Sequence, residues 1–324
     1  MERIALFYNG GILYWNSVII TLAALAAICG FLWLYVRKSG NLTAALVTVP
    51  LSLGLSLLLS RFVHWYSFSE TYPGIVSALT DYSAGGFALI GAFAGCFLAA
   101  LLTRTAGLHK DTPEMLDCMC LAGGAAIAAG RLSSFFNATD RGQIIEHVRS
   151  LPWVYPVINS VSGATEYRLA TFLLQSIAVA LITIALMVFY HRKNDQVKNG
   201  DTALLFLLCY GASQIILDST RYDSIYFRGN GFISIEQVFA ALAVALVIVV
   251  FSVRMVKRHG LILWNLLMWV EILASIGCAG YMEYHVQRHG NQALFAYSIM
   301  TLCLVLVVGS TVFIYNNTLK PKHK

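Results

Sequence analysis

Four ionisable side chains stand inside or at the edge of long apolar stretches: Arg61, Arg131, Asp218 and Arg221. If those stretches cross a membrane, a charge near the centre costs about 2.5 to 3.5 kcal/mol on insertion scales, so each needs a reason to be there. Guanidinium suits phosphate, because its planar fork donates two parallel hydrogen bonds to an oxyanion. Three arginines and one carboxylate, gathered at a membrane boundary, would form a cationic site for an anionic lipid head group. Arg141 and Arg228 in adjoining polar segments extend the same bias. The plainer alternative is that Arg61 and Arg131 reach the interface along their aliphatic stems while Asp218 pairs with Arg221 to fix topology. Two further acids, Asp117 and Glu271, also fall within apolar stretches, and helix-to-helix hydrogen bonding is the role expected of them.

The elements that position these groups follow from composition. The 324 residues are 58% hydrophobic and 12% charged, with a mean hydropathy of +0.70, whereas a soluble domain carries about a quarter charged residues. The chain therefore reads as an all-α integral membrane protein, a polytopic helical bundle. About 20 apolar residues span the hydrocarbon core. Such windows lie near 12–36, 42–65, 83–103, 115–136, 169–190, 202–219, 234–253, 261–282 and 293–315, giving about nine transmembrane helices.

Orientation follows from basic residues, which stay on the cytoplasmic side. One set of connections holds Arg37, Lys38, Arg104, Lys110, Arg192, Lys193, Lys198, Arg254, Lys257, Arg258, Lys320, Lys322 and Lys324. The opposite set holds Arg3, Arg141, Arg149, Arg168, Arg221, Arg228 and Arg288. The expected topology is N-out and C-in, which puts Arg61, Arg131, Asp218 and Arg221 at one depth near the outer head groups. The net charge of +6 is mostly this topology signal and makes no case for nucleic-acid binding. Met1 to Gly11 lacks a basic leader, so the first hydrophobic helix is expected to remain as the first span.

The seven cysteines are scattered through apolar stretches without metal-ligand spacing and read as small buried hydrophobes. No metal or cofactor is implied. Gly85, Gly86, Gly91 and Gly95 in one window, and Gly123, Gly124 and Gly130 in the next, form small faces expected to let helices approach closely. The one sizeable polar stretch, about 138–166, carries Trp153, Tyr155 and turn residues and leaves room for short interfacial elements.

The segment Gly130-Arg131-Leu132-Ser133-Ser134-Phe135-Phe136-Asn137-Ala138-Thr139-Asp140-Arg141-Gly142 resembles the signature of the prolipoprotein diacylglyceryl transferases, G-R-x-[GA]-N-F-x-N-x-E-x-x-G. Gly130, Arg131, Phe135, Asn137 and Gly142 fit; Ser134 stands for the first asparagine and Thr139 for the glutamate. Tyr210-Gly211, Asp218, Arg221, Asp223, Ser234 and Gln237 resemble a second block of that family, with Gln214 in place of its first arginine and Asp218 in place of a glutamate. Gly85-Gly86 through Gly91-Ala92 resembles a third block, whose histidine falls on Ile90. The resemblance covers about residues 5 to 255. It implies a seven-helix transferase-like domain over 1–258, followed by an added two-helix extension with a basic tail over 259–324.

The family moves diacylglyceryl from phosphatidylglycerol to the lipobox cysteine of a prolipoprotein in the bacterial inner membrane. Carried onto this chain, the resemblance implies that Arg131 and Arg221 clamp the lipid phosphate and Asn137 orients the glycerol. Gly142 would let a loop approach the lipid, and Arg61, Gly85 and Gly86 would complete the binding surface. A free thiol has a pKa near 8.5 and gains from a base; with the histidine and glutamate replaced, Asp218 and Asp140 are the candidates. Three readings follow: a divergent diacylglyceryl transferase, a non-catalytic lipid-binding or regulatory relative, and a small transporter motivated by Glu271 and Asp117.

Overall fold

The computed structural model describes residues 4–8, 11–81, 86–137, 139–145, 153–159, 162–192, 197–226, 234–289 and 292–319. Gly85 and Arg228 lie outside the described residues. A hairpin of β1 (Ile4–Tyr8) and β2 (Gly11–Tyr14) leads into α1 (Trp15–Ser39) and α2 (Leu42–Ser67). A short helix α3 (Ile75–Thr80) and α4 (Leu89–Thr105) follow. Next, α5 (Thr112–Arg131) runs into a 3-10 turn at Leu132–Phe135. A second hairpin, β3 (Val154–Ile158) with β4 (Thr165–Leu169), precedes α6 (Thr171–Arg192), α7 (Asp201–Ser219) and α8 (Ile235–His259). The last two helices are α9 (Leu263–His289) and α10 (Ala293–Leu319).

Eight of these helices are long and apolar enough to cross a membrane, and α4, with 17 residues, is a shorter apolar ninth. A lipid solvent offers the backbone no hydrogen-bond partners, so helices satisfy it internally. The expected windows match the helices closely; α4 begins later because residues 86–88 are not helical. The first hairpin is apolar and runs directly into α1, whereas the second lies in the polar segment between α5 and α6. Outward faces stay apolar and exposed, as at Leu22, Leu181, Ile184, Leu242 and Val305, while Met115, Leu121, Phe206, Val247 and Phe251 pack within.

The small faces are packing surfaces. A Cβ on Gly91 would fall 2.3 Å from the backbone nitrogen of Ser60, and one on Gly95 2.4 Å from that of Ser56. Helices α2 and α4 thus meet backbone to backbone, and Ser60 Oγ and Ser56 Oγ donate across the seam to the carbonyls of Ala88 (2.6 Å) and Ala92 (3.0 Å). Asp117 is fully buried and accepts from the backbone N–H groups of Gly200 (2.9 Å) and Ala203 (2.8 Å), so a carboxylate from α5 caps α7. Glu271 accepts from Ser275 within α9 (2.8 Å) and from Ser310 of α10. The two acids that motivate a transporter are thereby engaged in holding helices together. Cysteines depart from expectation: Cys118 and Cys303 are buried, but Cys29 is exposed on an apolar helix.

The α9–α10 pair lies against α7 and α8. Trp269 donates to Ser252 (3.0 Å), and the Tyr315 ring packs on Phe251 with centroids 4.8 Å apart.

Candidate active site

Arg131 ends α5, one residue before the 3-10 turn, and Arg221 follows α7 by two residues. Their guanidiniums converge on one oxygen. Arg131 Nη1 lies 2.7 Å and Arg221 Nη2 2.9 Å from Asp140 Oδ1. Arg221 also reaches Asp218 Oδ1, Glu236 Oε2 and Asp223 Oδ1, each at 3.1 Å. The expected cationic site with one carboxylate is therefore corrected: two arginines face four carboxylates. Burial alone would push the Asp140 carboxyl up, but the two guanidiniums outweigh it and hold it down at about 2.

Asp140 occupies this point because its loop is tied on every side. Its backbone N–H donates to Asp223 Oδ2 (2.8 Å), Ser134 Oγ donates to its Oδ2 (3.1 Å), and its carbonyl accepts from the Phe172 N–H (3.1 Å). Ser134 and Thr139, the two replaced signature positions, lie 3.2 Å apart through their hydroxyls. The inward carboxylate is thus one residue later than the signature glutamate. Asn137 Oδ1 accepts from Thr139 N (3.0 Å) and Oγ1 (2.5 Å), so its side chain orders this turn.

Residues 142–145 extend the second hairpin. Gly142 N donates to Leu169 O (2.8 Å) and Ile145 N to Tyr167 O (2.7 Å), while Gly142 pairs on its other side with Arg221. A Cβ on Gly142 would fall 2.6 Å from Thr171 Oγ1 and 2.7 Å from Leu169 Cβ. The close approach that requires glycine at this position is to the chain's own β4–α6 corner. Arg141 is 2% exposed; Nη2 donates to the carbonyls of Ser134 (2.5 Å) and Asn137 (2.9 Å), and its guanidinium carbon stands 4.4 Å and 4.5 Å from the ring centres of Tyr155 and Phe172. Burial lowers its pKa.

Asp218 is 1% exposed; besides Arg221 it accepts from Ser234 Oγ, which also caps α8 through the N–H of Gln237. Glu236 sits in the first turn of that helix. Gln214, standing where the resemblance has an arginine, is buried and accepts from Gln175 Nε2 (3.1 Å). Arg61 sits in a different setting. It is 1% exposed and donates to the carbonyls of Ala78 (2.8 Å), Asp81 (2.5 Å) and Gly86 (2.9 Å), clasping α2 to α3 and the start of the α4 segment. Gly86 has φ +83, and a Cβ there would meet the His64 ring at 2.4 Å. Its glycine serves this clasp.

The added helices reach the same end of the bundle. Glu283 of α9 accepts from Ser219 Oγ (2.6 Å) and Gln237 Nε2 (3.3 Å). Tyr297 of α10 donates to Ser219 O (3.3 Å) and accepts from Gln143 Nε2 (3.3 Å). Sequence reasoning placed Asp223 in the second motif block without giving it a role and missed Glu236, Glu283 and Tyr297. The Ser234-x-x-Gln237 capping box, which sets an acid in the first turn at a membrane boundary, was the available signal for Glu236.

The family model described as prolipoprotein diacylglyceryl transferase matches residues 4–254, ending within α8. The phosphatidylglycerol–prolipoprotein diacylglyceryl transferase of Lactococcus lactis subsp. cremoris is 27% identical over 269 residues, covering 80% of this chain and 97% of the relative. Those of Streptococcus suis, 28% over 196 residues (60% and 70%), and Limosilactobacillus reuteri, 26% over 204 residues (62% and 70%), are also similar. With the arginines of both motif blocks meeting at one oxygen and the matched region spanning more than three quarters of its length, the chain belongs to the prolipoprotein diacylglyceryl transferase family.

Proposed function

We propose that the protein transfers the diacylglyceryl group of phosphatidylglycerol to a prolipoprotein lipobox cysteine, at the outer face of a bacterial cytoplasmic membrane, using a divergent set of side chains. One observation carries this reading: Arg131 and Arg221, from separate helices, aim at a single anionic oxygen at 2.7 and 2.9 Å. A phosphate oxygen of the lipid takes that position when Asp140 gives way. Such paired donors stabilise charge that grows as the phosphate leaves. In the transfer, the cysteine sulfur bonds to the glycerol carbon and the carbon–oxygen bond to phosphate breaks. Glycerol phosphate departs with the electron pair, and the thiol proton passes to a carboxylate. Asp140, held at about 2, has little affinity for that proton at neutral pH; Asp218 and Glu236 are the other carboxylates against Arg221 in the same cluster. Asn137 and Gly142 order the loop that carries Asp140. The orientation is N-out and C-in, and the family domain ends near residue 258.

A second reading has an observation of its own: four carboxylates surround the two arginines, and Gln214 is committed to Gln175. Here the fold holds an acidic lipid or a protein partner without reaction. Purified protein with phosphatidylglycerol and a lipobox peptide separates the two. Peptide-dependent glycerol phosphate release that disappears in Arg131→Ala and Arg221→Ala supports transfer; release unchanged in both variants refutes the clamp. Lipid binding without release selects the second reading.

A further inference from the structure

At the end of the bundle opposite Arg131 and Arg221, the start of α7 and the ends of α8 and α10 border a half-open cavity of about 290 Å³. Four cations line it, Lys198, Arg254, Lys257 and Arg258, against one carboxylate, Asp201. That carboxylate is 1% exposed and already committed. It pairs with Arg254, accepts from the Tyr315 hydroxyl (3.2 Å) and accepts from the Lys198 N–H (3.1 Å). Arg258 turns Nη1 to the carbonyl of Thr318 (2.5 Å). Neither Lys198 nor Lys257 joins an ion pair among the described residues. The charge bias of the loops explains why cations lie on this side. It does not explain four of them around one cavity whose one acid among the described residues is neutralised.

We propose that this cavity binds an anionic phosphate ester, the head group of an acidic lipid in the leaflet on that side. Basic pockets between transmembrane helices suit such head groups. The volume, just below the roughly 300 Å³ at which small-molecule sites begin, admits a phosphate head group and little more. Leu319 in the lining supplies apolar contact where the acyl chains begin. Thr318 and Leu319 at the end of α10 lie in the added extension, so the extension closes one side of a site whose cations come from the α7 and α8 side. It is independent of the reaction at the other end.

The test counts lipids retained by the full-length protein in native mass spectrometry from neutral detergent, with phosphatidylglycerol or phosphatidylcholine supplied. Lys198→Gln/Lys257→Gln should retain one phosphatidylglycerol fewer, with affinity at that site falling about tenfold or more. Leu319→Trp, which fills the cavity without changing charge, should lose the same lipid, and phosphatidylcholine counts should not differ. Arg221→Ala should keep this lipid, which separates the site from the reaction centre. Equal counts in the wild type and both cavity variants overturn the proposal. Displacement of the lipid by millimolar inorganic phosphate would assign the cavity to the free ion and overturn the lipid assignment.

Discussion

Replacing Asp140 by alanine removes the oxygen on which both arginines converge. Arg221 keeps Asp218, Asp223 and Glu236, whereas Arg131 loses its only ion pair among the described residues. Removing one partner of a fully buried pair costs about 3 to 5 kcal/mol, because a charge is left uncompensated. Here the side chains of Arg131, Asp140 and Arg221 are 11%, 15% and 9% exposed, and water reaching them reduces the expected loss to about 2 to 4 kcal/mol. The assay is a double-mutant cycle of Asp140→Ala with Arg131→Leu, measured by reversible unfolding in mixed micelles. The double variant should recover about 2 kcal/mol relative to the sum of the single losses. A parallel cycle of Asp140→Ala with Arg61→Leu should add within about 0.5 kcal/mol, since Arg61 binds backbone carbonyls in another corner. Additivity in the first cycle, or coupling of equal size in both, would refute the ion cluster as drawn.

Acid should act on the same cluster. The folded pKa of Asp140 is depressed, so its stabilisation is fully present above its unfolded value near 3.8 and is lost as pH falls through about 2; Asp140→Asn should flatten the stability profile in that window, and an unchanged slope would count against it. Arg141→Met should lower stability by about 2 to 4 kcal/mol, from two charge-assisted hydrogen bonds and two aromatic contacts, with hydrogen exchange rising in residues 134–145; wild-type exchange there would contradict the tie. Gly95→Leu should separate α2 from α4, because the first added carbon meets backbone, and a disulfide pair engineered across that seam should close in the wild type and fail in the variant.

The helices were legible because the bilayer fixes the length of an apolar run, and that length does not depend on knowing the neighbours. The convergence of Arg131 and Arg221 was also legible, since both lie at the same ends of their helices. The carboxylates were harder. Asp140 follows the signature position by one residue, and only the ties from Asp223, Ser134 and Phe172 turn it inward. Arg61 shows the reverse difficulty: its residue type and depth match those of Arg131, but its partners are carbonyls from α3 and the following loop, which no spacing pattern marks. The second hairpin escaped because five-residue pairings in a polar loop bury little apolar surface; Ser162-Gly163 between Val154–Ile158 and Thr165–Leu169 was the turn signal available.

Helix α10 rises through about 40 Å over its 27 residues and touches α7 at both of its terminal residues, Ser219 through Tyr297 and Asp201 through Tyr315. It therefore acts as a splint. Sliding α7 along its axis by one turn, about 5.4 Å, would break a tyrosine contact at each end. The helix that carries Asp218 and leads into Arg221 is locked in register, and any opening of the ion cluster to a lipid has to come from the 139–145 and 220–226 segments, swinging on a fixed post.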